Sequence, residues 1–180
     1  MDSFLNLRAM NMSSSTQEHR QAAPTRLRFS VLTISDTRTL ESDLSGQLIC
    51  SALTTAGHEL VERQIVPDEP LQIASCVCQL SAMDNLDVLL LTGGTGISPR
   101  DRTPEAVAPL LDVELPGFGE LFRMLSYAEI GPATMLSRAL AGRRGSVLIF
   151  CLPGSRAAVS LAIDKILAPE LPHLVHHSRG

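Results

Sequence analysis

Two carboxylates, Asp68 and Asp101, stand where chemistry is most easily imagined. Asp101 follows a glycine-rich stretch, Thr92-Gly93-Gly94-Thr95-Gly96, with Arg100 immediately before it. Glycines let backbone N–H groups approach an anion closely, with no Cβ in the way. Arg100 is suited to phosphate, and Asp101 to a metal ion or a hydroxyl. Asp68 ends a separate stretch, Val66-Pro67-Asp68. It is either a second site carboxylate or only the cap of a helix opening at Pro70, and position alone favours the cap. Two familiar phosphate loops are excluded. Gly94-Thr95-Gly96 lacks the third glycine of the dinucleotide fingerprint, and the stretch has no lysine for a P-loop. A bare turn remains the plain alternative.

The elements that must position these residues follow from patterning. Val88-Leu89-Leu90-Leu91 is apolar on both faces, as in a buried parallel strand. After the loop, Thr103 is expected to cap a helix, with Pro104 at its first position and Glu105 at the positive end of its dipole. Upstream, Leu27 to Ser35 reads as a strand running into Asp36. A helix follows with Ile49 and Leu53 on its inner face, closed by Gly57. Asp43 or Ser45 caps it, and a ligand role for Asp43 is equally open. His58 to Val66 reads as a second strand, and Pro70 opens a helix carrying Ile73, Val77 and Leu80 inward. Phe118, Leu121, Phe122 and Leu125 keep helical spacing up to about Tyr127, and Gly131-Pro132 breaks the run. Gly142-Arg143-Arg144-Gly145 reads as a loop before the apolar strand Val147–Leu152. That strand ends at Pro153-Gly154-Ser155, and Ser155 caps a last helix whose bare N–H groups suit phosphate.

Strands alternating with helices predict an α/β fold, a three-layer sandwich with a mostly parallel sheet. In such sheets ligands bind beyond the carboxyl ends of the strands, where these turns converge. A length of 180 residues suits a single domain, expected over 26–172, between an N-terminal tail (1–25) and a C-terminal tail (173–180) bearing His173, His176 and His177. The tail histidines are read as solvated. A net charge of −4 argues against nucleic acid as a partner, and 3% aromatic content leaves few platforms for stacked bases. The four cysteines fall in core elements without a metal-ligand pattern, so neither disulfides nor zinc are expected. No apolar run is long enough to span a membrane, and no signal peptide is legible, so a cytoplasmic location is expected.

The ordered set Thr92-Gly93-Gly94-Thr95-Gly96, Arg100-Asp101, Thr103-Pro104-Glu105-Ala106 and Ser137-Arg138 resembles the MoaB/MogA molybdenum cofactor biosynthesis family. Ser35-Asp36, Asp43-x-Ser45-Gly46, Val66-Pro67-Asp68-Glu69 and Pro153-Gly154 add to the likeness, which runs from about Arg28 to Leu171. The segment Gly117–Ser126 with Glu129-Ile130-Gly131 is most similar to the B branch. The resemblance implies a trimer or hexamer of identical chains that binds molybdopterin. It further implies transfer of AMP from Mg-ATP to the terminal phosphate of that pterin, or, in the alternative, binding and delivery of the pterin without catalysis. It places Asp68 and Asp101 as catalytic, Mg2+-holding residues. Thr92, Gly93, Gly94, Thr95, Gly96, Arg100, Ser137 and Arg138 would bind the pterin phosphate. Ser35, Asp36, Asp43, Pro153, Gly154 and Ser155 would face the nucleotide. Two departures stand out: Arg102 in place of a small apolar residue, and no second proline after Gly154.

Overall fold

The computed structural model describes residues 24–179, and the N-terminal tail expected over 1–25 lies outside them except for Pro24 and Thr25. In chain order the elements are β1 (Arg28–Ile34), α1 (Leu44–Thr55), β2 (Glu59–Val66), α2 (Pro70–Ser81), β3 (Val88–Thr92) and α3 (Thr103–Val107). They continue with β4 (Val113–Glu114), α4 (Pro116–Ile130), β5 (Leu140–Arg144), β6 (Val147–Leu152), α5 (Arg156–Ala162) and α6 (Ala168–Ser178). One sheet of six strands runs in the order β2-β1-β3-β6-β5-β4. The first four are mutually parallel, and β5 and β4 are antiparallel additions at one edge. This is the expected α/β sandwich with a mostly parallel sheet.

Strand side chains alternate between two cores. Val31, Val88, Leu90, Leu148 and Phe150 pack under α1, α4, α5 and α6, while Leu32, Ile34, Leu89, Leu91 and Ile149 pack under α2 and α3. Both faces of β3 are therefore dry, which explains its unbroken apolar run. The chain passes from β1 over one face to β2, then over the other face to β3 on β1's far side. Neighbouring turns consequently diverge between β1 and β3 and leave a crevice at the carboxyl ends of the strands. Thr33 pairs with Thr92, Thr92 with Leu152, and Ile34 with Val66, so the turns after β1, β2, β3 and β6 open at one end of the sheet.

Three expectations change. Gly142-Arg143-Arg144 is strand, not loop, and the chain turns only at Gly145, whose φ is +55°. The stretch is polar because β5 lies near the sheet edge. Gly142 sits where a Cβ would lie 2.5 Å from both Leu111 Cδ1 and the Val113 carbonyl. The chain also does not leave the fold at Pro172. Helix α6 carries through it to Ser178, with Leu171 and Val175 fully buried. Burial of these two side chains, each worth about 1.5–3 kcal/mol, offsets the backbone hydrogen bond that Pro172 forgoes. Finally, Thr103 is the first residue of α3 and not its cap. Its buried hydroxyl donates to the Gly93 carbonyl at 2.9 Å and draws the loop onto the helix. Among the described residues no helix is long and apolar enough to cross a membrane.

The far end of the sheet is closed by charge. The carboxylate of Asp87, 4% exposed, accepts the Arg28 backbone N–H at 2.6 Å and pairs with the Arg28 and Arg179 guanidinium groups. Burial alone would raise its pKa, but the hydrogen bonds from Arg28 and Arg179 outweigh it and hold the group below the usual carboxylate range. Such a depressed group stabilises the fold above the unfolded-chain value of about 4, and the contribution is lost as pH falls through the folded value. Asp87→Asn is expected to cost about 1.5–3 kcal/mol at pH 7. Thermal unfolding at pH 7 and pH 3 should show the gap from the parent protein narrowing in acid. An equal gap at both would refute the assignment.

Candidate functional site

Four turns build the site. After β3, Gly93 and Gly94 take φ of +108° and +63°, a left-handed path open to glycine. The Gly93 N–H donates to the Leu152 carbonyl at 3.1 Å, and the Thr103 N–H to the Gly94 carbonyl at 3.1 Å. Thr92 is buried, and its hydroxyl donates to the Pro153 carbonyl at 3.0 Å. Across the gap, Ser45 donates to the Gly154 carbonyl at 2.8 Å. A Cβ on Gly154 would lie 3.3 Å from Gly93 Cα, so the two glycine turns pack backbone to backbone. Ser155 caps α5 as expected, accepting the Ala158 N–H.

The two carboxylates flank this loop. Asp68 Oδ1 lies 2.9 Å from where a Cβ on Gly94 would stand, and Asp101 Oδ2 lies 2.7 Å from the same position on Gly96. Asp101 accepts the Ser98 N–H at 2.9 Å, which shapes the loop tip. Asp36 accepts the Asp68 N–H at 3.0 Å and so fixes the turn that carries it. Asp68 Oδ1 is buried with no hydrogen-bond partner. Burial raises the Asp68 pKa, Asp101 and Asp36 push the same way, and the Arg102 backbone and Arg100 act against them. Asp68 is thus not a helix cap: α2 begins without any side-chain cap.

Two cavities open onto this framework. One, of about 330 Å3, is lined by Ser35, Arg38, Asp43, Ser45 and Arg156. The other, of about 430 Å3, is lined by Gly94, Thr95, Gly96, Asp101, Phe122 and Ser137. They meet on Gly93, Gly154 and Ser155, which border both. The first is hydroxyl-rich with two arginines, whereas the second has an apolar wall. Among the described residues no group of three or more His, Cys, Asp or Glu side chains can hold a metal unaided. A cation here would need oxygens from a ligand as well. Asp68 and Asp101 with ligand phosphates would make a hard-oxygen set of the kind Mg2+ takes.

The residues expected from sequence divide in three. Thr92, Gly93, Gly94, Thr95, Gly96, Asp101, Ser137, Ser35, Pro153, Gly154 and Ser155 line the cavities. Asp68 lies against Gly94 of the loop, Asp36 is bonded to the Asp68 N–H, and Arg100 is exposed. Asp43 and Arg138 are already occupied. Asp43 is 2% exposed, accepts the Gly46 N–H at 2.9 Å and the Thr33 hydroxyl at 2.7 Å, and pairs with Arg63 at 3.0 Å. Its cavity wall is therefore a helix cap braced from β2. Burial raises its pKa, but these hydrogen bonds prevail and keep it below the usual range. Arg138 turns its guanidinium onto the glycine-loop backbone. Arg38 and Arg156, which face the first cavity, were not anticipated. Arg38 stands three residues past Ser35, and Arg156 opens a helix, a position with no charge pattern of its own.

A family model described as a probable molybdopterin binding domain matches residues 30–173. Molybdenum cofactor biosynthesis protein B of Halalkalibacterium halodurans is 50% identical over 162 residues, covering 89% of this chain and 95% of that one. Its counterpart from Escherichia coli K12 is 43% identical over 156 residues, covering 87% and 91%. Among solved structures, the tungsten cofactor synthesizing protein MoaB from Pyrococcus furiosus superposes with a TM-score of 0.79 at 40% identity, covering 88% of this chain and 100% of that one. A crystal structure of molybdenum cofactor biosynthesis protein B gives 0.84 at 48% identity, covering 87% and 98%. The chain belongs to the MoaB/MogA molybdenum cofactor biosynthesis family, the family of the molybdopterin-binding domain.

Proposed function

We propose that this protein binds molybdopterin and transfers AMP to it from Mg-ATP. An oxygen of the pterin's terminal phosphate attacks the α-phosphorus of ATP, the bond to the β-phosphate bridge breaks, and pyrophosphate leaves. The observation that carries this reading is the pair of cavities meeting on Gly93, Gly154 and Ser155, with Asp68 and Asp101 beside the junction. The hydroxyl-and-arginine cavity suits a polyphosphate, through Arg38 and Arg156. The cavity walled by Phe122 suits a planar heterocycle whose phosphate rests on Gly94–Gly96. Transfer between two phosphates needs mainly alignment and charge neutralisation. Pinned loops supply the alignment. Asp68 and Asp101 would hold the Mg2+, which on binding draws charge from the leaving pyrophosphate.

Self-association is part of this proposal. Met124, Tyr127 and Ile130 recur three residues apart on α4 and are 58–63% exposed, a stripe suited to a second copy.

Incubating the purified protein with molybdopterin and Mg-ATP tests the reaction. Pyrophosphate release with formation of an AMP-pterin adduct is expected. Pterin retained unmodified would assign a carrier role instead, and neither binding nor turnover would overturn both.

A further inference from the structure

We propose that Arg138 is a positioning residue that clamps the glycine loop from outside, and with it Asp101, rather than a ligand for the pterin phosphate. The mid-loop residues Ile97 to Arg100 are exposed, Ile97 to 68%, so packing does little to hold them. What reaches the loop is Arg138. Its Nε donates to the Gly96 carbonyl at 2.7 Å, and Nη2 to the Asp101 carbonyl at 2.6 Å. Nη1 pairs with Glu105 on α3, and the Arg138 backbone N–H donates to the Thr95 carbonyl at 2.9 Å. One planar fork thus ties the start of the loop, its end and the following helix together. All three guanidinium nitrogens are engaged within the protein.

The clamp is anchored in turn. Arg123 on α4 donates to the carbonyls of Ser137 and Ala139, on either side of Arg138. Gly119, one helical turn earlier, lets that peptide approach: a Cβ there would lie 2.6 Å from the Ala139 carbonyl. A chain of contacts therefore runs from a core helix through Arg123 and Arg138 to the loop that carries Asp101. Lysine cannot replace the clamp. It offers a single nitrogen, and the three acceptors need a fixed fork.

The kinetic part of the test rests on the proposed nucleotidyl transfer, while the exchange part stands without it. The full chain is compared with Arg138→Ala, Arg138→Lys and Glu105→Gln. In both Arg138 variants, hydrogen exchange over residues 96–102 is expected to accelerate about tenfold or more, as loss of charge-assisted hydrogen bonds implies, with exchange in β1 and β3 unchanged. Glu105→Gln should give a smaller change in the same segment. In the pterin and Mg-ATP assay both Arg138 variants should lose about a hundredfold in kcat, the effect of a displaced catalytic group. With Mg2+ saturating, the KM for ATP should rise far less than kcat falls, since the first cavity draws no residue from 94–102. Unchanged loop exchange in Arg138→Ala overturns the clamp, as does exchange accelerated equally throughout the sheet. So does an Arg138→Lys variant that keeps most of the parent kcat, because charge alone then suffices. A parent protein without pyrophosphate release would remove the transfer reading, and loop exchange would still decide the clamp.

Discussion

Asp68→Asn is expected to cut AMP transfer about a thousandfold while leaving the protein at least as stable as its parent. Both halves follow from one atom. Asp68 Oδ1 is buried and accepts no hydrogen bond, and the pKa of the carboxyl is raised by burial and by neighbouring Asp101 and Asp36. A carboxyl raised in the fold binds a proton more tightly there than in the unfolded chain. Stability consequently falls as pH climbs from the unfolded value of about 3.9 through the folded one. At neutral pH the ionised group is a cost to the fold, and the amide removes it. The same substitution removes half of the carboxylate pair proposed to hold Mg2+, so turnover should drop by about a thousandfold, the upper range for loss of one charge-stabilising group. Calorimetry at pH 7 beside the pyrophosphate assay tests both halves. Retained turnover would end the catalytic assignment, and a Tm lowered by several degrees would mean that Asp68 is structural. In the parent, the acid limb of kcat/KM, which reports the free enzyme, should lie above the ordinary aspartate range, because the charged form is the working one.

Gly93→Ala should be among the most damaging single-methyl additions. Its φ of +108° is closed to alanine without strain of about 1–3 kcal/mol. The new Cβ would stand 2.4 Å from the Ile34 carbonyl oxygen, and that backbone cannot retreat. Ile34 is paired with Val66 at the end of β1, and the next N–H, that of Ser35, donates to the Val66 carbonyl. Overpacking adds about 1–3 kcal/mol. A total near 3 kcal/mol corresponds to about 6–12 °C in Tm for a domain of this size. Gly57→Ala is the control. Its φ is +93° with nothing within 4 Å of the added carbon, so it carries backbone strain alone. Thermal melts of the two should differ by the clash. Equal melting temperatures would mean that the loop yields and that Gly93 is not held as described. Gly93 also borders both cavities, so a loop that yielded would still be read as lost transfer.

What the sequence determined by itself was local or periodic. Unbroken apolar runs such as Val88–Leu91 require burial on both faces, and that alone selects a parallel sheet flanked by helices. Two adjacent glycines after such a run require a tight turn at the strand's carboxyl end, and the switch-point rule places ligands there. The ordered motifs likewise sufficed to select the family, whereas only the fold sets Asp68 against Gly94 and Asp101 against Gly96. Tertiary structure decided whatever depends on which way a side chain points. Arg138 and Asp43 carry the motif, yet each is committed to partners inside the protein: Arg138 to carbonyls 37 and 42 positions away, Asp43 to Arg63 across 20. Nor does local pattern reveal that Arg143 and Arg144 lie in a strand or that a helix runs on through Pro172, since edge pairing in one case and burial of Leu171 and Val175 in the other supply the reason. A residue's type and spacing limit the bonds it can make. The bonds it does make depend on neighbours that only folding brings within reach.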